Sequence, residues 1–448
     1  MEKFQRISED SSLQFYILLA IISIELCLFL FYLSTDLKLI VLGLFLGWFI
    51  FIAVMKNPLI GISLVILITY TGAYRLILPT LFFSSTIITI FAFLLMNLIN
   101  GKLHIVKTSQ NILIVTFLLI ICLSMIVSIF PKESISPFFE FIKNLIFFFI
   151  FINVVQKKKD LEFLTWILII SGVLACIIGI YIIFSTGLGE LFLIYKRFGS
   201  VLGNANWFAG TIVPLIPISY FFSKIQSKII LKIFLFSAIA IYIVSIAFSL
   251  SRSALLAMVI ILLIIFIHEV KNKKALIITP IFLLLMIVIF FPQISNRIVE
   301  RFNLVFSGKD VSVNIRLWVL KAGINMFLDH PVLGVGIGNF VHLSGQYVTL
   351  TANKVAHNMY LDVAAETGIF GLILFISIFG KSLLDVRKQI FNHNKNFAFL
   401  AEGYYWGLIG YLITGFFVSV HFYFFLWLIL SFTVSVSIVG GNNTFIDK

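Results

Sequence analysis

The sequence predicts an all-α polytopic membrane protein of about 12–14 transmembrane helices, with one long extracytoplasmic loop carrying short helices. Three observations predict it. Of 448 residues, 61% are hydrophobic and 11% charged, against about 25% charged in a typical soluble domain. Runs of roughly 18 or more uncharged residues recur along the whole length, each long enough to cross the hydrocarbon as a helix, and none alternates as barrel strands do. Lys and Arg collect in alternate short loops. The net charge of +13 is therefore explained by topology rather than by a basic patch, and no nucleic-acid partner is expected.

Taken in order, Lys3 and Arg6 precede the first apolar run with no small-residue cleavage site, which reads as an uncleaved signal-anchor. The expected spans are 15–33, 37–55, 58–78, 82–99, 111–130, 137–155, 161–184, 205–223, 229–249, 252–268, 274–291, 357–379, 399–419 and 421–439. Residues 1–195 form the N-terminal helices, 196–379 the core including the loop 292–356, and 380–448 the C-terminal helices. One set of loops holds Lys102 and Lys107, Lys157 to Lys159, Lys224 and Lys228, Lys271 to Lys274, and Arg387 to Lys395. The opposite set is sparse in charge. This bias predicts cytoplasmic termini in a cytoplasmic (inner) membrane, with the 292–356 loop outside. Cys27, Cys122 and Cys176 each lie inside an apolar run and suit neither a disulfide framework nor a zinc site.

The 292–356 loop is too short and too rich in glycine for a core of its own. Ile315, Trp318, Val319, Ala322 and Met326 recur in it at helical spacing, stopped by Asp329-His330-Pro331, and predict an amphipathic helix suited to the headgroup level. Gly334-Val335-Gly336-Ile337-Gly338 has no strand–helix context for a nucleotide and reads as a tight turn. Gly368 and Gly371 suit close helix approach.

Arg197, Arg252 and Arg316 stand at outer span ends or in the loop, where an ionisable group beside hydrocarbon is costly and is a functional candidate by default. A guanidinium fork matches phosphate oxygens and keeps its charge, so several around one pocket suit a lipid-linked diphosphate. The plainer alternative is that Arg197 and Arg252 snorkel to headgroups and Arg316 lies on a solvated helix face. His357, followed at once by Asn358 at the mouth of a span, is a candidate base for a sugar hydroxyl or else an interfacial histidine bonded to backbone. Asp362 and Glu366 follow one helical turn apart, as a carboxylate pair or as groups orienting that imidazole. His330, His342 and His421 also fall on the outer side without comparable context. With no HExxH and no metal-ligand spacing, metal-free chemistry without a cofactor is the expectation.

These residues resemble the O-antigen ligase and polymerase family of bacterial polysaccharide assembly. His357-Asn358, nine intervening residues, then Gly368 and Gly371 follow the family's His-Asn…Gly…Gly pattern. Arg197-Phe-Gly continuing to Gly203-Asn204-Ala205-Asn206-Trp207 is a second likeness, with Ala205 where the family often has Pro. Ser251-Arg252-Ser253-Ala254 is a third, and Arg316-Leu-Trp318 through Pro331, Gly334, Gly336, Gly338 and Phe340 a fourth. The resemblance implies an inverting integral-membrane glycosyltransferase whose donor is a glycan on undecaprenyl diphosphate. It implies His357 as base, Arg197, Arg252 and Arg316 as diphosphate ligands, and Asn204, Asn206, Asn358 and Glu366 in support. Partners would be the lipid-linked donor, a glycan or lipid acceptor, membrane lipids and other polysaccharide-assembly proteins. The acceptor stays open between ligase and polymerase, and the rival class is a transporter or flippase of lipid-linked oligosaccharide.

Overall fold

The computed structural model describes residues 48–72, 89, 106–186, 203–269, 311–348 and 354–446. Arg197, the spans expected at 15–33 and 274–291, and most of those at 37–55 and 82–99 lie outside them. Every regular element among the described residues is a helix, with no strand among them. In chain order the helices are α1 (Pro58–Thr71), α2 (Ser109–Ile126), α3 (Pro131–Val154), α4 (Lys158–Thr186), α5 (Ala205–Ile212), α6 (Leu215–Ile225), α7 (Ile229–Ser249) and α8 (Arg252–Glu269). Two shorter-range elements follow, α9 (Val311–Asp329) and α10 (Phe340–Tyr347), and then α11 (Met359–Ile390), α12 (Lys395–Gly415) and α13 (Phe424–Ile446). Among the described residues, eight helices are long and apolar enough to cross a membrane, counting α5–α6 as one run. The protein is an all-α polytopic membrane protein.

Two expected spans prove to be broken. The run at 205–223 divides at Val213–Pro214, because proline has no N–H to donate into the helix it interrupts, and α6 restarts at Leu215. The span expected at 357–379 continues to Ile390 and kinks near its start at Gly368, whose φ is 69° and ψ −167°. Side chains set the starts of several helices: Asn57, Thr108, Asn204, Asn358 and Asn394 each accept a backbone N–H of the first turn.

The helices define two ends of a bundle. At one, Gln110 Nε2 donates to Ser382 Oγ (2.8 Å), Val106 N donates to Asn153 Oδ1 (2.8 Å), and His268 Nε2 meets Glu402 Oε1 at 2.9 Å beside the Lys224–Glu269 pair. Lys107, Lys157 to Lys159, Lys224, Lys228, Arg387, Lys388 and Lys395 belong to this end. At the other, Ile129 N bonds Val335 O (3.1 Å), Tyr360 Oη bonds Leu412 O (3.0 Å), and the Trp207 and Tyr423 rings lie 4.6 Å apart. Between the ends runs a core of interlocked rings, including Phe117, Phe141, Phe375 and Trp427. Lipid supplies little hydrophobic drive between helices, so close backbone approach matters more. Gly403 and Gly407 of α12 provide it, letting Ile218 of α6 ride against the α12 backbone.

The segment expected as an amphipathic helix is α9. Val319, Ala322 and Met326 turn inward as expected, and Ala322 and Met326 join a small second core with Val335, Phe340, Leu343, Ala356 and Ala365. Trp318 does not: it is 49% exposed, on an outward face shared with Leu317, Leu320, Ile324 and Leu328. Because Ala365 and Leu361 of α11 complete this core, the loop depends on the bundle rather than folding by itself.

Candidate functional site

The site begins with the break in α11. A kink at Gly368 strips the preceding turn of helical partners, and a buried carbonyl without a donor is expensive. The glycine loop supplies the donors: Val335 N bonds Ala365 O (2.9 Å), Gly336 N bonds Glu366 O (3.1 Å), and Ile369 N in turn bonds Pro331 O (2.8 Å). Ser124 Oγ adds a second bond to Glu366 O at 2.6 Å. Such contact needs bare backbone on both sides. Gly334 (φ 71°) and Gly368 (φ 69°) adopt left-handed conformations, and a Cβ at either would overlap the main chain of Glu366 or of Val332. The tight turn expected at 334–338 is thus present, and its task is to splint a broken helix. Asn339, fully buried, anchors the loop to the α2–α3 connection: its Oδ1 accepts Phe130 N (2.7 Å), and its Nδ2 donates to Ser128 Oγ (2.8 Å) and Ser134 Oγ (2.9 Å).

His357 stands at the N-terminal mouth of this helix with φ 55°, a left-handed conformation uncommon for a side-chain-bearing residue and typical of constrained sites. The next residue, Asn358, caps α11 by accepting Tyr360 N (3.0 Å) and Leu361 N (3.1 Å), which fixes the turn. Burial, then the positive charges of Arg316 and Lys354, push the His357 pKa down to about 4. Arg316, on the second turn of α9, therefore lies within electrostatic reach of the imidazole. The two residues come from segments far apart in sequence, and α9 is held on α11 by the small second core.

Asp362 and Glu366 lie against a second histidine. They enclose His421, from the connection between α12 and α13: His421 Nδ1 is 3.6 Å from Asp362 Oδ2, and His421 Nε2 is 3.7 Å from Glu366 Oε2. Glu366 Oε1 accepts Phe340 N (3.1 Å). The Ala356 backbone N–H donates toward the Asp362 carboxylate. In the sequence His421 falls on the outer side without context that singles it out. The signal was thin, a single histidine between two apolar helices, and its partners lie far upstream.

The remaining candidates spread around the same end. Arg252 opens α8 and is partly buried. Asn204 is the cap of α5, accepting Asn206 N (2.9 Å) and Trp207 N (3.3 Å), so its side chain shapes the turn after Gly203. Asn206 occupies the first turn of α5, next to the Trp207 ring that rests on Tyr423, two residues beyond His421. Among the described residues, no group of three or more His, Cys, Asp or Glu is arranged to hold a metal ion.

Fold and site together define a polytopic membrane protein whose splinted, broken helix carries a histidine at one end, within electrostatic reach of an arginine. Residues 237–376, which include Arg252, Arg316, His357 and Glu366, match the family described as O-antigen ligase. That match supports an O-antigen-ligase-like protein that handles membrane-associated glycan. Residues 34–227, with Arg197, Asn204 and Asn206, match a family of unknown function. No curated protein matches the chain.

Proposed function

We propose that the protein is an inverting glycosyltransferase of the cytoplasmic membrane that transfers or polymerises glycan from an undecaprenyl-diphosphate-linked donor on the outer face. The observation that carries this reading is a half-buried His357, in a left-handed turn and within electrostatic reach of Arg316 and Lys354, inside the segment that matches O-antigen ligase. The crowding of lysines at the opposite end supports an outward-facing site by the positive-inside rule.

The chemistry follows from charge. An acceptor hydroxyl attacks the anomeric carbon from the face opposite the diphosphate, forming the new C–O bond as the old one breaks. The bonding pair leaves with the diphosphate, and inversion results. His357 is neutral at pH 7 because burial, and then its cationic neighbours, disfavour the charged imidazolium, so its ring can take the hydroxyl proton and pass it to water. Arg316, with Arg252 and Arg197 as further ligands, stabilises charge growing on the leaving diphosphate. This needs no metal in principle, because fixed guanidinium groups provide the positive field. Binding of the anionic donor also offsets those cations and raises the basicity of His357 when it is needed.

A flippase reading has one observation in its favour, the discontinuous helix α11. The break lies near one end of that helix, however, and is closed by backbone bonds from the glycine loop. Reconstitution with a polyprenyl-diphosphate-linked repeat unit separates the readings. Elongated glycan means polymerase, glycan on a new acceptor means ligase, and passage across the bilayer without new bonds sinks the enzymatic reading.

A further inference from the structure

The chemistry above leaves one buried group without a task. Asp362, Glu366 and His421 are 3%, 4% and 9% exposed, and Asp362 Oδ2, Glu366 Oε2 and His421 Nδ1 have no hydrogen-bond partner. Burying such groups is costly, and apolar residues of similar size serve stability as well or better. Each member leads instead to a different part of the site. Asp362 receives the N–H of Ala356, immediately before His357. Glu366 holds Phe340 at the start of α10, and Phe340 belongs to the small core that seats α9 and its Arg316. His421 is fixed from behind, because Trp427 Nε1 donates to its carbonyl at 3.0 Å.

We propose that His421 is a positioning residue. By offsetting Asp362 and Glu366 from between them, it holds the 356–358 turn and the α9–α10 unit on one helix, and so sets where the His357 ring stands relative to Arg316. Burial opposes charge on His421, but the adjacent Glu366 carboxylate and the charge of Asp362 outweigh it and raise its pKa above the ordinary histidine value. Among the described residues, Ser419 of the same connection lies against Asp362 and the Phe422 ring is 4.1 Å from the imidazole. Neither offers a competing charge.

The inference rests on the proposed function only for its activity readout. His421→Leu and His421→Gln are compared with wild type in proteoliposomes carrying the lipid-linked donor. His421→Leu is expected to lower kcat by about tenfold or more with donor KM nearly unchanged, since a displaced base costs rate rather than binding. His421→Gln, which retains hydrogen-bonding capacity, is expected to lose less. The second readout needs no activity: the rate at which diethyl pyrocarbonate modifies His357, followed by mass spectrometry, should rise in His421→Leu. Wild-type kcat per folded molecule together with wild-type His357 reactivity would overturn the proposal, as would a loss confined to KM. If His421→Leu fails to insert, the same readouts on His421→Gln decide. If wild type itself transfers no glycan, the functional reading fails while His357 reactivity still decides the positioning role.

Discussion

At the scale of single residues, the proposed transfer depends on which form His357 takes. A base must be neutral, so activity is lost as pH falls through its pKa. In the free protein that pKa lies at about 4. The acid limb of kcat/KM, which reports free enzyme, should therefore sit well below the ordinary histidine range, whereas the limb of kcat should sit higher because bound diphosphate screens the cations. Arg316→Gln removes the larger of the two charge effects and should move the kcat/KM limb upward, whatever it does to donor affinity. A limb that stays in place would break the link between the two residues. His357→Ala should reduce transfer by roughly 10²–10⁴-fold, the usual contribution of a positioned base, while membrane insertion and donor binding persist. Transfer at the normal rate would dismiss the assignment. His357 and Arg316 were legible in the sequence because each interrupts its surroundings, a histidine at the mouth of a span and an arginine opening an amphipathic helix. His421 was not, since only the fold reveals that Asp362 and Glu366 turn toward it rather than toward His357.

At the scale of elements, α11 depends on a splint. Gly334 and Gly368 hold left-handed backbone, which costs a residue with a Cβ about 1–2 kcal/mol, and each position also lacks room for one. Gly368→Ala and Gly334→Ala should both lower thermal stability in detergent and reduce transfer, because either pushes the glycine loop off the helix that carries His357. Gly380, farther along the same helix with open space around its Cα, is the control. Gly380→Ala should leave both properties within experimental error, and an equal loss there would point to general fragility of α11. Hydropathy found most helices because uncharged length is a strong signal. It averaged over the breaks at Pro214 and Gly368. Pro214 sits in unbroken apolar sequence, and the conformation of Gly368 depends on hydrogen bonds from a loop more than 30 residues earlier in the chain. Trp318 misled for a related reason. Periodicity placed it with Val319, but α9 is apolar on both faces and the packing of Gly323 against Leu361 and Phe340 selects the other one.

For the whole molecule, the proposed reaction depends on which end faces out. Charge asymmetry sets topology through short loops near span ends, and the lysine-rich end with Lys224, Lys388 and Lys395 contrasts with an opposite end where Lys354 and Arg316 crowd a histidine. The proposed donor chemistry requires that second end to lie outside. In a background with Cys27, Cys122 and Cys176 replaced by serine, Lys354→Cys should react with a membrane-impermeant maleimide in intact cells. Lys388→Cys, on the final turn of α11, should react only after permeabilisation. Because the two positions flank one helix, the pair of results fixes its direction without any assumption about the remaining spans. The reverse pattern would place His357 in the cytosol, away from any outer-face donor, and would remove the proposed reaction whatever the local geometry of the site.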